Sequence, residues 1–106
     1  MKLYLFYVYI LATTSNRVLY TGMTNDLERR CKEHKGKYSK GFTSRYNVNK
    51  LIYYETFNDV EDAIKREKQI KAYSRRKKDE LINHFNSTWE NLFINGRIIK
   101  PKSLSQ

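Results

Sequence analysis

A chain of 106 residues has room for one hydrophobic core of ordinary size but not two, so a single compact unit is expected. Hydrophobic residues at 40% exclude a wholly disordered basic tail, while Lys and Arg outnumber Asp and Glu by 21 to 11. The net charge of +10 calls for a polyanionic partner, because cations that neutralise phosphates release condensed counterions. Nucleic acid is preferred to an anionic membrane surface, and no obligate protein partner is evident. Cys31 is the single cysteine and gives no sign of an oxidising compartment, so the cytoplasm is the expected location.

In chain order, residues 3 to 11 form a near-continuous apolar and aromatic run, which predicts a central strand buried on both faces. A signal-peptide reading of this start is disfavoured by its three tyrosines and by the polar turn that follows. Ala12 to Asn16 reads as that turn, and Val18 to Thr21 as a second strand closed by Gly22, together a β-hairpin. From Asn25 or Asp26 to about Lys35 the pattern is helical, with Leu27, Cys31 and His34 on one stripe and Arg30 at its edge. Gly36 to Asn49 reads as a basic, aromatic loop. Leu51 to Thr56 is a third strand, and Asn58 with Glu61 suggests the start of a helix running to about Ala72. Ser74 is a candidate N-cap for a last helix ending near Phe85. Trp89 to Ile99 is expected as a short turn or strand, and Pro101 to Gln106 as a fraying end. The fold class is α/β of the α+β type, a three-stranded antiparallel sheet flanked by helices. Residues 1–86 are read as the domain and 87–106 as a C-terminal extension and frayed tail.

Several polar residues fall where packing alone would not put them. In the second helix Val60, Ala63, Ile64 and Ile70 define an apolar stripe with Glu67 near its centre. A buried carboxylate needs a cation, a proton or a metal ion, and an i, i+4 salt bridge to Lys71 meets that need as well as a metal does. Arg30 could likewise pair with Asp26. Convergence of tyrosines, Arg30, His34 and Glu67 at one edge would suit phosphodiester chemistry. A guanidinium and a metal ion both neutralise charge on phosphorus, and a tyrosine or histidine manages the proton of the attacking water.

These residues resemble the GIY-YIG nuclease family over roughly residues 3 to 86. Tyr7-Val8-Tyr9 is similar to the first signature, and Tyr20-Thr21-Gly22 to the second, with ten residues between Tyr9 and Tyr20. Arg30, eight residues beyond Gly22, matches the catalytic arginine, His34 its companion histidine, and Glu67 the metal-binding glutamate. The strings Arg66 to Lys71, Ser74 to Lys78 and Asn86 to Trp89 are similar to the small stand-alone bacterial members. The resemblance implies a three-stranded sheet with catalytic groups on one face and one Mg2+ or Mn2+ held by the glutamate. It also implies endonucleolytic hydrolysis, with DNA favoured over RNA and structured or damaged DNA as candidate substrates. Tyr7 stands where the first signature has glycine, and the late asparagine of several members is placed at Asn86. Whether Tyr9 or His34 acts as general base is open, since an unperturbed tyrosine titrates only at about pH 10.

Two basic segments are the expected nucleic-acid surface. Arg75, Arg76, Lys77 and Lys78 crowd a helix N-terminus, where the macrodipole favours an anion. The loop carrying Lys37, Tyr38, Lys40, Phe42 and Arg45 sets rings among cations, as single-stranded or distorted nucleic acid requires, and Lys71 adds a further charge. A non-catalytic DNA- or RNA-binding module that retains the fold is the alternative reading.

Overall fold

The computed structural model describes residues 5–36 and 46–102. Strand β1, Phe6–Ala12, and strand β2, Leu19–Thr24, form a hairpin. Helix α1 spans Leu27–Lys35 and strand β3 spans Lys50–Phe57. Helices α2, Val60–Lys71, and α3, Arg75–Phe85, follow, then a small hairpin of β4, Phe93–Ile94, and β5, Arg97–Ile98. The sheet order is β2-β1-β3 and both pairings are antiparallel, so the apolar first strand is central as its composition demands.

Local chemistry explains the boundaries. Thr13 Oγ1 accepts from the Arg17 and Val18 amides at 3.1 and 3.3 Å, tying the β1–β2 turn, and Asn16 takes its left-handed position at φ 62°. The strands run further than their sequences suggest. Ala12 still pairs with Leu19, and β2 continues through Gly22 to Thr24. Asp26 caps α1 by accepting from the Arg29 amide at 3.1 Å. Helix α2 is capped by Asp59 rather than Asn58, because it is the Asp59 carboxylate that reaches the Glu61 amide, at 3.0 Å. Ser74 caps α3 as expected, with Lys77 N–H donating to its hydroxyl at 3.1 Å.

The sheet divides two cores. Val8, Ile10 and Ala12 meet Ala63 and Ile70 of α2 and Ile82 of α3 on one face. Tyr9 and Leu11 meet Leu27 and Cys31 of α1, with Leu51, Leu92 and Phe93, on the other. A bulge in β3 at Ile52, skipped between the Ile10–Tyr53 and Leu11–Leu51 pairs, lets that residue join the first core. Residues 87–102, expected as an extension, are thus built into the second core through Leu92 and Phe93. Leu92 N–H donates to Leu51 O at 2.8 Å. Pro101 is buried and Lys102 N–H donates to Glu90 at 2.9 Å, so the fraying expected from residue 101 is not seen as far as Lys102.

Candidate active site

The antiparallel register sets Tyr9 opposite Gly22 on one side and Tyr54 on the other, and cross-strand partners share a face. Tyr20, two residues before Gly22, lies on that same face, which α1 covers with Leu27, Cys31 and His34. Tyr9, Tyr20 and His34 consequently form a triangle of rings with centroid separations of 6.3, 6.1 and 5.6 Å. Gly22 makes the triangle possible. A Cβ there would stand 2.6 Å from Tyr9 Oη and 2.9 Å from Tyr20 Cε2, distances that real side chains do not reach. Reading the sequence yields Gly22 as the end of a strand. The signal for its larger role is the register, which needs the paired strands in space.

The Tyr9 hydroxyl sits between Arg30 and His34. Its oxygen accepts from the Arg30 guanidinium, and its proton is directed at His34 Nε2, 3.3 Å away, when the imidazole is protonated on Nδ1. Burial, opposed by the Arg30 hydrogen bond, raises the Tyr9 pKa to about 12. His34 is only 2% exposed, and burial together with the Arg30 charge lowers its pKa to about 4, so the imidazole is neutral near pH 7. Burial works against the charge of Arg30, yet its hydrogen bonds with Tyr9 and Glu33 leave its pKa above the ordinary value. The Arg30–Glu33 contact measures 2.8 Å. Arg30 and Tyr20 are half-buried at the rim, whereas Tyr9 and His34 lie beneath them. Cys31 faces the core next to this cluster, and burial pushes its thiol up to about 12, which makes it unreactive.

Glu67 is placed differently. Helix α2 packs on the opposite face of the sheet, across β2 and β1. Its inward stripe is Ala63, Glu67 and Ile70; Val60 and Ile64, expected in that stripe, are 38% and 37% exposed. The Glu67 side chain is 21% exposed and pairs with Lys71 at 3.4 Å. Tyr20 and α2 therefore border the same edge strand from its two sides. Among the described residues no three His, Cys, Asp or Glu side chains group as a metal cage. A single hard carboxylate suits Mg2+ or Mn2+, which keep most of their waters and share the substrate's phosphate oxygens. Thr21 Oγ1, on the α2-facing side of β2, is buried without a hydrogen-bond partner, a polar group that the shell of a hydrated ion would satisfy.

The basic run at α3 is partly committed to structure. Arg75 pairs with Asp79 at 2.7 Å and donates to Arg17 O and Asn16 O at 2.7 and 2.5 Å, clamping the β1–β2 turn to the helix. Its fork is thus engaged within the chain, while the residue itself is exposed. Arg76 is exposed and 3.9 Å from Glu80, Lys77 Nζ stands 4.4 Å over the Tyr73 ring, and Lys78 is half-buried. Lys37, Lys40 and Arg45 lie outside the described residues. Asn86 is fully buried. Its amide donates to Ile52 O at 3.0 Å and Glu90 O at 2.9 Å, and its oxygen accepts from Glu90 N–H at 3.3 Å, so the side chain locks α3 to β3 and the C-terminal segment.

A profile of the GIY-YIG catalytic domain matches residues 5–80. A UPF0213 protein of Syntrophus aciditrophicus is 43% identical over 77 residues, covering 72% of this chain and 87% of that one. A UPF0213 protein of Haloquadratum walsbyi is 40% identical over 75 residues, covering 71% and 83%. The solution NMR structure of a UPF0213 protein from Bacillus halodurans superposes with a TM-score of 0.54 at 35% identity, covering 82% of this chain and 92% of that one. These relatives are small, like this chain, and among the described residues no helix is long and apolar enough to cross a membrane.

Proposed function

Because the chain belongs to the GIY-YIG catalytic-domain family, we propose that it is a metal-dependent endonuclease that hydrolyses phosphodiester bonds in DNA. The observation that carries the reading is the Tyr9 hydroxyl bridging Arg30 and a neutral His34. Arg30, at the rim, moves to a bound phosphate and meets the negative charge that grows there. Its departure leaves the Tyr9 oxygen without a donor and open to the attacking water. The water gives a proton to Tyr9 Oη while Tyr9 passes its own to His34 Nε2. Oxygen then bonds to phosphorus, and the ester oxygen leaves and takes a proton from solvent. No tyrosinate forms, which a pKa of about 12 would resist. Burial is the larger cause of the low His34 pKa and the Arg30 charge the smaller, and phosphate beside Arg30 offsets that smaller part. Tyr20 borders the same phosphate position, and Glu67 would hold the divalent ion, which when bound supplies Lewis-acid stabilisation of the phosphoryl charge.

The rival, a binding module without turnover, draws on one observation: the partner of Glu67 is Lys71. The two separate in Glu67→Gln. The parent should nick supercoiled DNA with Mg2+ or Mn2+ and stop with chelator, and its melting temperature should rise when the ion is added. Glu67→Gln should lose both cleavage and the metal-dependent rise while binding DNA normally. A variant that cuts at the parental rate, or an active parent indifferent to chelator, would remove Glu67 from the site. A parent inert on supercoiled, branched and single-stranded DNA and on RNA would support the binding module.

A further inference from the structure

The C-terminal hairpin lies beyond the family match at residues 5–80 and yet packs on α1, the helix that carries Arg30 and His34. Between them runs an open cleft of about 430 Å3 lined by Lys32, Lys35, Gly36, Phe93 and Gly96. At roughly 100° per residue, Lys32 stands on the flank of α1 opposite Arg30, about 160° away around the helix. Phe93 is buried and forms an apolar floor, while both lysines are exposed. Neither lysine forms an ion pair among the described residues, in contrast to Arg30, Arg66, Lys71, Arg75 and Arg76. Gly96, at φ 77°, takes the left-handed backbone position that favours glycine, and it lies next to the Lys32 side chain. Arg97 and Lys100, both exposed, continue the positive charge along the hairpin.

We propose that this cleft binds the sugar–phosphate backbone of the nucleic-acid substrate at a point away from the scissile bond, so that α1 is straddled by two backbone contacts. The inference rests on the nuclease reading only in requiring a nucleic-acid ligand. Two ammonium groups over an apolar floor, without an ion-pair partner or a lining carboxylate among the described residues, suit a phosphate-bearing strand. The contact would come from the hairpin's seat on α1 rather than from the α3 run, part of which is already engaged.

The test uses the full chain in EDTA, so that nothing is cut, and a fluorescent 20-base-pair DNA duplex titrated at several salt concentrations. Each neutralised phosphate contributes about 0.9 to the slope of log affinity against log salt. Lys32→Gln/Lys35→Gln should therefore flatten the slope by about 2, whereas the equally charged control Arg17→Gln/Lys65→Gln should keep it. In the parent, the amide signals of Gly36 and Gly96 should shift on adding duplex, a readout that needs no variant. Equal slopes in the parent and the cleft variant, equal loss in both variants, or unmoved glycine signals would each overturn the proposal. A parent that cuts DNA under those outcomes leaves the nuclease reading standing and sinks the cleft alone. Binding through the cleft by a parent that never cuts does the reverse, and a parent that binds no nucleic acid overturns both.

Discussion

At the residue scale, the site is held by contacts that tolerate little change. Gly22 is the sharpest case, because any side chain there must displace both Tyr9 and Tyr20. Gly22→Ala should lower stability by about 1–3 kcal/mol, the usual cost of overpacking, and should suppress cleavage more than that loss explains. Thermal unfolding beside single-turnover cleavage checks this; parental values for both would show that the strand pair yields without cost. His34 makes a second prediction, through pH. Its pKa falls from 6.5 to about 4 on folding, so between those values the unfolded chain holds a proton that the folded chain excludes. The contribution is therefore full above pH 6.5 and is lost as the pH falls toward 4, a difference on the order of 3 kcal/mol. Denaturant unfolding from pH 7 to 4 should show the parent losing more stability than His34→Gln by about that amount. Parallel curves would mean that His34 titrates normally.

At the element scale, the positions of the helices decide which charges are available. Arg75 begins α3 but spends its fork on the β1–β2 turn, whereas Arg76 next to it projects into solvent. Arg75→Ala should cost roughly 1 kcal/mol, since its ion pair is half-exposed and its carbonyl contacts are ordinary hydrogen bonds. Arg76→Ala should leave stability unchanged and reduce the salt dependence of DNA binding. Melting temperatures and salt titrations of the two variants check the division; the reverse pattern would assign the phosphate contact to Arg75 rather than Arg76. Helix α2 teaches a related lesson. Its inward face is narrow, Ala63, Glu67 and Ile70, because α3 and the sheet leave Val60 and Ile64 to solvent. The apolar periodicity of that segment includes Val60, Ala63, Ile64 and Ile70 alike and cannot say which are covered.

At the scale of the whole molecule, much of the fold was legible because its signals are local. The apolar β1, the hairpin turn, the Ser74 cap and the three helical segments each follow from neighbouring residues. What escaped depends on contacts distant in the chain. Leu92 on Leu51, Asn86 on Ile52 and Arg75 on the first turn join segments that no periodicity connects. The same holds for the candidate site. Tyr9, Tyr20, Arg30 and His34 could be named from motif order; the antiparallel register brings the two tyrosines to one face, and the packing of α1 on that face adds Arg30 and His34. The support from Gly22 and the separation of Glu67 by the thickness of the sheet required the tertiary structure. The account's central claim is that Arg30 leaves Tyr9 to meet charge developing on the phosphate. Single-turnover cleavage of one duplex by the parent and by Arg30→Lys, at saturating protein and with Mg2+, measures this most directly. Lysine keeps the charge but loses the planar fork, so the rate should fall by at least about a hundredfold, roughly 2.7 kcal/mol, with DNA affinity little changed. A parental cleavage rate for Arg30→Lys would contradict the account.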